Sequence, residues 1–301
     1  MRRFTVLHAV TLLVSALSVA SFGGHNWFCD LFSHFRPVFF ILLLSLTLIL
    51  LFVRAWKMSI LSVCLALANF LPLLDMYGPR EPSPPSSVRI LQMNVQGDDN
   101  ADYRAALSLI DELKPDIVGF SEITGGWPDW LKTNLKEYKY RTIEPRFGGV
   151  ALLSKLPMEG GEVKYTGKFK RPRICTRFQC GDTEVSVDFV HTVTPFHSFE
   201  IRNEELAAIA DEASKCTSFV LFGDLNCTPW SYYFKKLERD GGLKDSMPGF
   251  GIQCSWPTVL PVLAIDHCLI STDMVTIDRR LCRSIGSDHF PVYVELGFRR
   301  Q

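Results

Sequence analysis

Charge is almost missing from the first quarter of this 301-residue chain. Residues 1–76 hold five Lys/Arg and two Asp/Glu, while residues 77–301 hold the other 27 and 30. The whole chain has no net charge with histidine neutral, and its C-terminal part is slightly acidic, near −3. The lack of a basic excess argues against a protein built to grip long polyanions, though it leaves room for a local basic patch. No cysteine pair in the C-terminal part has CxxC spacing, so zinc is not expected there. Nine cysteines is an odd number, which excludes a closed disulfide framework. Cys175 and Cys180 are close enough in sequence that a local bridge is open to them in an oxidising compartment. Internal repeats are absent as well.

The uncharged region contains three apolar runs, Phe4–Phe22, Pro37–Val53 and Met58–Leu74. Each reaches the lower part of the length a spanning helix needs, about 17–25 residues. The alternative for the first is a cleavable signal peptide, with Met1-Arg2-Arg3 before it and Ser18-Val19-Ala20 as a small-residue site. The runs lack ionisable residues except His8, which suits an anchor better than a transport path. Arg2, Arg3, Arg54 and Lys57 fall on one side of a three-span arrangement, so the positive-inside rule puts the rest outside the cytoplasm. Cleavage of the first run would leave that orientation unchanged. The expected organisation is a membrane anchor over 1–76, a Pro/Ser-rich spacer over 77–87 that its four prolines keep extended and semi-rigid, and a catalytic domain over 88–301.

Residues 88–301 alternate strand and helix signals. Val88–Asn94, Ile117–Glu122, Gly149–Ser154, Phe219–Gly223, Ile265–Ser271 and Phe290–Leu296 read as strands. Arg173–Gln179 and Glu184–His191 read as a hairpin around Gly181-Asp182. Ala101–Leu113, Pro128–Leu135 and Phe199–Lys215 read as helices. The pattern is α/β, with mixed sheets packed together.

Polar residues sit at the ends of these strands: Asn94, Glu122, His191, Asp224 with Asn226, Asp266, and Asp288-His289. Hard oxygen ligands of this kind suit Mg²⁺ or Mn²⁺. Asp224 and Asn226, two apart at a strand end, share a face and can hold a water or a phosphate oxygen. A plain turn is the alternative for that pair. Glu122 reads as a metal ligand or as a solvated loop acid, and Asn94 as a ligand or a strand-end amide. His191 is a phosphate contact or a structural histidine. Asp266 can pair with His289 across neighbouring strands and raise the imidazole pKa, which makes a cation suited to phosphoryl charge. Lys168, Lys170, Arg171, Arg173 and Arg177 form one basic cluster, either a solvated hairpin face or a contact for phosphates or anionic lipid headgroups.

Six motifs resemble, in order and spacing, the endonuclease/exonuclease/phosphatase superfamily with its deoxyribonuclease I-like fold. They are Gln92-Met93-Asn94-Val95, Phe120-Ser121-Glu122, Gly149–Lys155, Gly223-Asp224-Leu225-Asn226, Ile265-Asp266-His267 and Gly286-Ser287-Asp288-His289. The resemblance covers about residues 88–298, and the apolar runs, the spacer and Ser255-Trp256-Pro257 look like its bacterial membrane-anchored branch. It implies a four-layer sandwich, two mixed β-sheets flanked by helices, and metal-assisted phosphoester hydrolysis. By the same resemblance Asn94 and Glu122 organise the cation, and Asp288 contributes to the metal site. Asp224 and Asn226 handle the attacking water, Asp266 supports His289, and His289 and His191 contact phosphate. Gln96 departs from members that carry an acidic residue there, which argues against an abasic-site repair nuclease. The substrate implied is a phosphoester of nucleic acid or phospholipid, with a lipid bilayer as partner and no obligate protein partner evident. The competing reading is an inactive binding or scaffold domain of the same fold. Such a domain would be expected to have lost Glu122, Asp224 or His289.

Overall fold

The computed structural model describes residues 2–82, 84, 87–180 and 183–299, with residues 2–5 as backbone only. The spacer residues Ser83, Pro85 and Ser86, the Gly181-Asp182 turn, and the side chains of Arg2 and Arg3 lie outside the described residues.

Four helices come first: α1 (Arg2–Ala20), α2 (Trp27–Ser33), α3 (Arg36–Phe52) and α4 (Trp56–Phe70). The three expected spans resolve differently. One helix, Trp56–Tyr77, is long and apolar enough to cross a membrane. It gains its length from a 3₁₀ extension of α4 over Leu71–Tyr77. Helices α2 and α3 reach that standard only together, across a 68° bend, and Val6–Ala20 is a shorter apolar helix. The interior among α1, α3 and α4 mixes apolar residues, Phe39, Leu43 and Leu50, with polar ones. Thr11, Ser18, Thr47, Ser62 and Asn69 are buried, while Leu48, Phe52 and Ile60 are exposed. The buried polar groups tie the helices together: Ser62 Oγ donates to the Leu43 carbonyl at 2.8 Å, and Asn69 Nδ2 to Ser18 Oγ at 2.6 Å.

The remainder forms two six-stranded sheets. The first contains β1 (Ser87–Asn94), β2 (Ile117–Ser121), β3 (Tyr140–Glu144), β4 (Val150–Ser154), β11 (Met274–Leu281) and β12 (Val292–Phe298), ordered β11-β12-β1-β2-β4-β3. The second contains β5 (Met158–Thr166), β6 (Arg171–Cys180), β7 (Thr183–His191), β8 (Phe219–Asp224), β9 (Leu243–Asp245) and β10 (Asp266–Ser271), ordered β5-β6-β7-β8-β10-β9. Each sheet has one parallel pair at its centre, β1–β2 and β7–β8, and antiparallel neighbours elsewhere. Both are therefore mixed.

The facing strands are buried on both sides, which explains their near-continuous apolar runs. Ile90, Ile117, Leu152, Val187, Phe189, Phe222 and Val294 fill the space between the sheets. Gly119 permits the closest approach: a Cβ there would lie 2.3 Å from the Phe189 ring and 2.6 Å from that of Phe222. Helices α5 (Tyr103–Leu113) and α6 (Trp127–Asn134) cover the outer face of the first sheet through Leu109, Ile110, Trp127 and Leu131. Helices α7 (Pro195–Ala213) and α8 (Tyr232–Gly241) cover the second through Leu206, Ile209, Phe234 and Leu237. The result is four layers, helix–sheet–sheet–helix.

Two local expectations change. Cys175 and Cys180 lie five apart on one strand, roughly 16 Å at strand rise, and cannot bridge. All nine cysteines are free. The start of the spacer is not a free extended segment. The Met76 carbonyl accepts from Gly249 N–H and Gly251 N–H at 3.0 and 2.8 Å, and Arg80 donates to the Gly249 carbonyl at 3.0 Å while stacking over Phe250.

Candidate active site

In open α/β sheets the crevice for a ligand lies beyond the carboxyl ends of the parallel strands. Here the four such ends converge. The first sheet delivers Asn94 and, one residue past β2, Glu122. The second delivers His191 and Asp224 side by side in parallel register. Asp266, the first residue of β10, pairs with Asp224 in register, and His289 lies just before β12. Gly223 makes the β7–β8 approach possible, since a Cβ there would lie 1.9 Å from the Val190 carbonyl oxygen.

Asn94 is the hub. Its Nδ2 donates to Glu122 Oε1 at 3.0 Å and to Asp224 Oδ2 at 3.2 Å, and lies 3.4 Å from His289 Nε2. His289 Nδ1 meets Asp266 Oδ2 at 2.8 Å, and its Nε2 lies 3.8 Å from Asp224 Oδ2. His191 Nε2 sits between Glu122 Oε1 at 3.6 Å and Asp224 Oδ2 at 3.7 Å. The Asn226 backbone N–H donates to Asp224 Oδ1 at 2.9 Å, while its side-chain amide is committed to the Thr192 carbonyl. Asp288 Oδ2 accepts from Trp256 Nε1 at 2.8 Å. Glu122 and Asn226 both have left-handed backbone, with φ of 59° and 46°. Non-glycine residues hold that conformation at a cost of about 1–3 kcal/mol, and such strain gathers at functional sites.

Burial and neighbouring charges set the protonation states. Asp224 is pushed up to about 7, first by burial and then by the Asp266 charge. Burial alone would lower His289, but the Asp266 carboxylate and its hydrogen bond win and push it up to about 10. Burial opposes ionisation of Asp266 too, yet His289 holds it below the usual carboxylate range. His191 falls well below its ordinary value through burial, with Arg171 and His289 adding like-charge repulsion. The site therefore pairs an imidazolium with a carboxylate that titrates near neutrality.

The donor chemistry fits a hard divalent cation on the Glu122 side. The Glu122 side chain is about a third exposed, whereas those of Asp224 and His191 are buried. Asp224, Asp266 and His289 also place one ligand atom each within 4.8 Å of one another. That trio is a poor cation site, because Asp266 is already engaged by a positively charged His289.

The sequence model of the Endonuclease/Exonuclease/phosphatase family matches residues 91–289, from the middle of β1 to His289. The chain belongs to that family. Among solved structures it is similar to D. rerio TDP2 complexed with a single-strand DNA product, at TM-score 0.62 and 14% identity, covering 70% of this chain and 99% of that one. A family protein from Beutenbergia cavernae aligns at 0.59 and 20%, covering 71% and 72%. The human Nocturnin catalytic domain with a bound sulfate anion aligns at 0.56 and 14%, covering 73% and 97%. These likenesses establish the fold. No curated protein matches the sequence.

All eight residues expected at the site belong to this end of the sandwich. The basic cluster does not act as one patch: Arg173 is buried against Asp188 and Glu212, and Arg177 pairs with Glu184. Arg171 alone of the five reaches the site, 3.5 Å from His191 Nδ1. His267 points away, with Nε2 bonded to the Cys227 and Ala264 carbonyls and its ring against Phe234. The alternation of β10 sends it to the opposite face from Asp266. Sequence reasoning missed two glutamines. Gln92 Nε2 donates to Asp266 Oδ1, and Gln96 Oε1 accepts from Asp288 N–H at 3.0 Å. A Gln inside the apolar run of β1 was the available signal for the first.

Proposed function

We propose that this family member is a membrane-anchored phosphodiesterase. It uses Mg²⁺ or Mn²⁺ to hydrolyse a phosphodiester of a nucleic acid or a lipid headgroup by in-line attack of water. One observation carries the reading: Asp224 and His289, of opposite charge, face each other 3.8 Å apart at the base of one cleft, each held by buried partners. Asp224 takes the proton of the attacking water, and the Asn226 N–H fixes its carboxylate for that task. Water oxygen bonds to phosphorus, the bond to the leaving alcohol breaks, and the alcohol is protonated from solvent. His289, charged and oriented by Asp266, donates Nε2–H to the phosphate and stabilises the charge gathering there. His191, kept neutral, supports the phosphate from the other side. Glu122 and Asn94, with Asp288 beyond them, hold the cation, which supplies Lewis-acid charge when bound.

The anchor reading, with catalytic domain 88–301 outside the cytoplasm, is supported by the large apolar residues exposed on α1, α3 and α4 and by the 22-residue apolar helix. The Gly23–Arg36 segment, which contains α2, bonds to Arg202 and Ser231 of the sandwich and would share its side of a bilayer, with Arg54 and Lys57 near the opposite ends of α3 and α4. A reporter fused to the C-terminus that is active only in the cytoplasm would remove that topology. For the activity, purified full-length protein should hydrolyse bis(p-nitrophenyl) phosphate with Mg²⁺ or Mn²⁺, and EDTA should abolish it. Full activity in EDTA, or restoration by Zn²⁺ alone, would sink the cation site as drawn.

A further inference from the structure

Helix α2 is built into the catalytic half of the molecule. The buried Asp30 carboxylate accepts from Arg202 Nη2 at 2.8 Å and from Ser231 Oγ at 2.6 Å. His34 Nδ1 meets Thr228 Oγ1 at 2.9 Å, and the His34 carbonyl accepts from Trp230 Nε1 at 3.1 Å. Arg202, itself fully buried, also donates to the Asn226 carbonyl at 3.2 Å. One hydrogen-bonded path thus runs from α2 to the loop that fixes Asp224.

This docking brings apolar surface to the reacting end of the sandwich. Leu31 and Phe35 line the same cleft of about 300 Å³ as Glu122, Asp224 and His289. Phe35 also packs on the core of the helical bundle with Phe39 and Leu43, so the cleft and the bundle share a wall. Phe196, 78% exposed, lines it as well, and Leu263 and Ile265 add further apolar surface. Val259 and Leu260, in the same connection as Leu263, are 91% and 67% exposed. Among the described residues no lysine or arginine lines the cleft itself, and Arg171 reaches it only behind His191. A nucleic-acid strand needs cations along its backbone. A small polar ester has no use for this wall.

Resting on the phosphodiesterase reading above, we propose that the substrate is an amphiphilic phosphodiester drawn from the bilayer. Its alkyl chain lies between α2 and Phe196, and its phosphate faces Asp224 and His289. The anchor then does more than tether: Leu31 and Phe35 select the chain.

The test uses full-length protein in detergent micelles with Mg²⁺, and two diesters with one leaving group, ethyl and octyl p-nitrophenyl phosphate. Each fully buried methylene is worth about fourfold, so partial burial should favour the octyl ester in kcat/KM by about tenfold or more. Leu31→Ser and Phe196→Ser should each cut that octyl-to-ethyl ratio by about threefold or more. Micelle partitioning acts alike on every protein, so the change in ratio reports the wall. Phe196 is exposed, and its variant serves if Leu31→Ser fails to fold. Equal ratios in wild type and variants overturn the proposal while leaving the phosphodiesterase reading intact. So does single-stranded DNA hydrolysed with a higher kcat/KM than the octyl ester. Hydrolysis of no diester at all overturns both.

Discussion

The two sheets share one plan, six strands with a parallel pair in the middle, yet they arm their ends differently. The first sheet ends in an amide and a carboxylate, Asn94 and Glu122, with Glu122 partly open to solvent. The second ends in His191, Asp224 and Asp266, all buried. Burial decides which chemistry each end can do. The partly open Glu122 is placed for a hydrated cation, while burial pushes Asp224 and His191 toward their neutral forms and the His289 partner keeps Asp266 below the usual carboxylate range. The lesson is a division of labour across the seam between similar sheets, with Asn94 bonded to both halves.

The larger effect that would break this comparison lies in the first sheet. Glu122→Gln should raise the Mg²⁺ concentration for half-maximal rate by about 10–100-fold, while kcat at saturating Mg²⁺ falls less. A Mg²⁺ titration of hydrolysis reads it, and an unchanged midpoint would move the cation elsewhere. A smaller effect, in the second sheet, is on pH. Asp224 must lose its proton to act, so rate is lost as pH falls through its value of about 7. His289 must keep its proton, so rate is lost as pH rises through about 10. The pH–rate profile should be a bell with its plateau between those limbs, and saturating Mg²⁺ should move the acid limb lower. A profile flat from pH 5 upward would remove Asp224 as the base.

Much of this was legible in the sequence, for identifiable reasons. Ile117–Ser121 is an unbroken uncharged run, as buried parallel strands are, and Val88–Asn94 is close to one, interrupted by Arg89 and Gln92. The edge strands β3, β5, β9 and β11 were not visible, because half-exposed strands such as Met158–Thr166 alternate weakly and mix Gly, Glu and Lys, and Leu243–Asp245 is only three residues long. The site residues were legible because a carboxylate or imidazole ending a buried strand has few structural uses. Gln92 and Gln96 were not, because a neutral amide carries no such signal. Nor was the Asp30–Arg202 pair, 172 residues apart in sequence, since only folding brings α2 to the sandwich.

The central claim is that Asp224 and His289 act on the same phosphate in one step. The direct measurement is kcat for bis(p-nitrophenyl) phosphate with saturating Mg²⁺, for wild type, Asp224→Asn, His289→Ala and the double variant, with circular dichroism unchanged throughout. Each single change should lower kcat by about 10²–10⁴-fold. The double should be far less than multiplicatively worse. A folded Asp224→Asn protein with wild-type turnover would contradict the account.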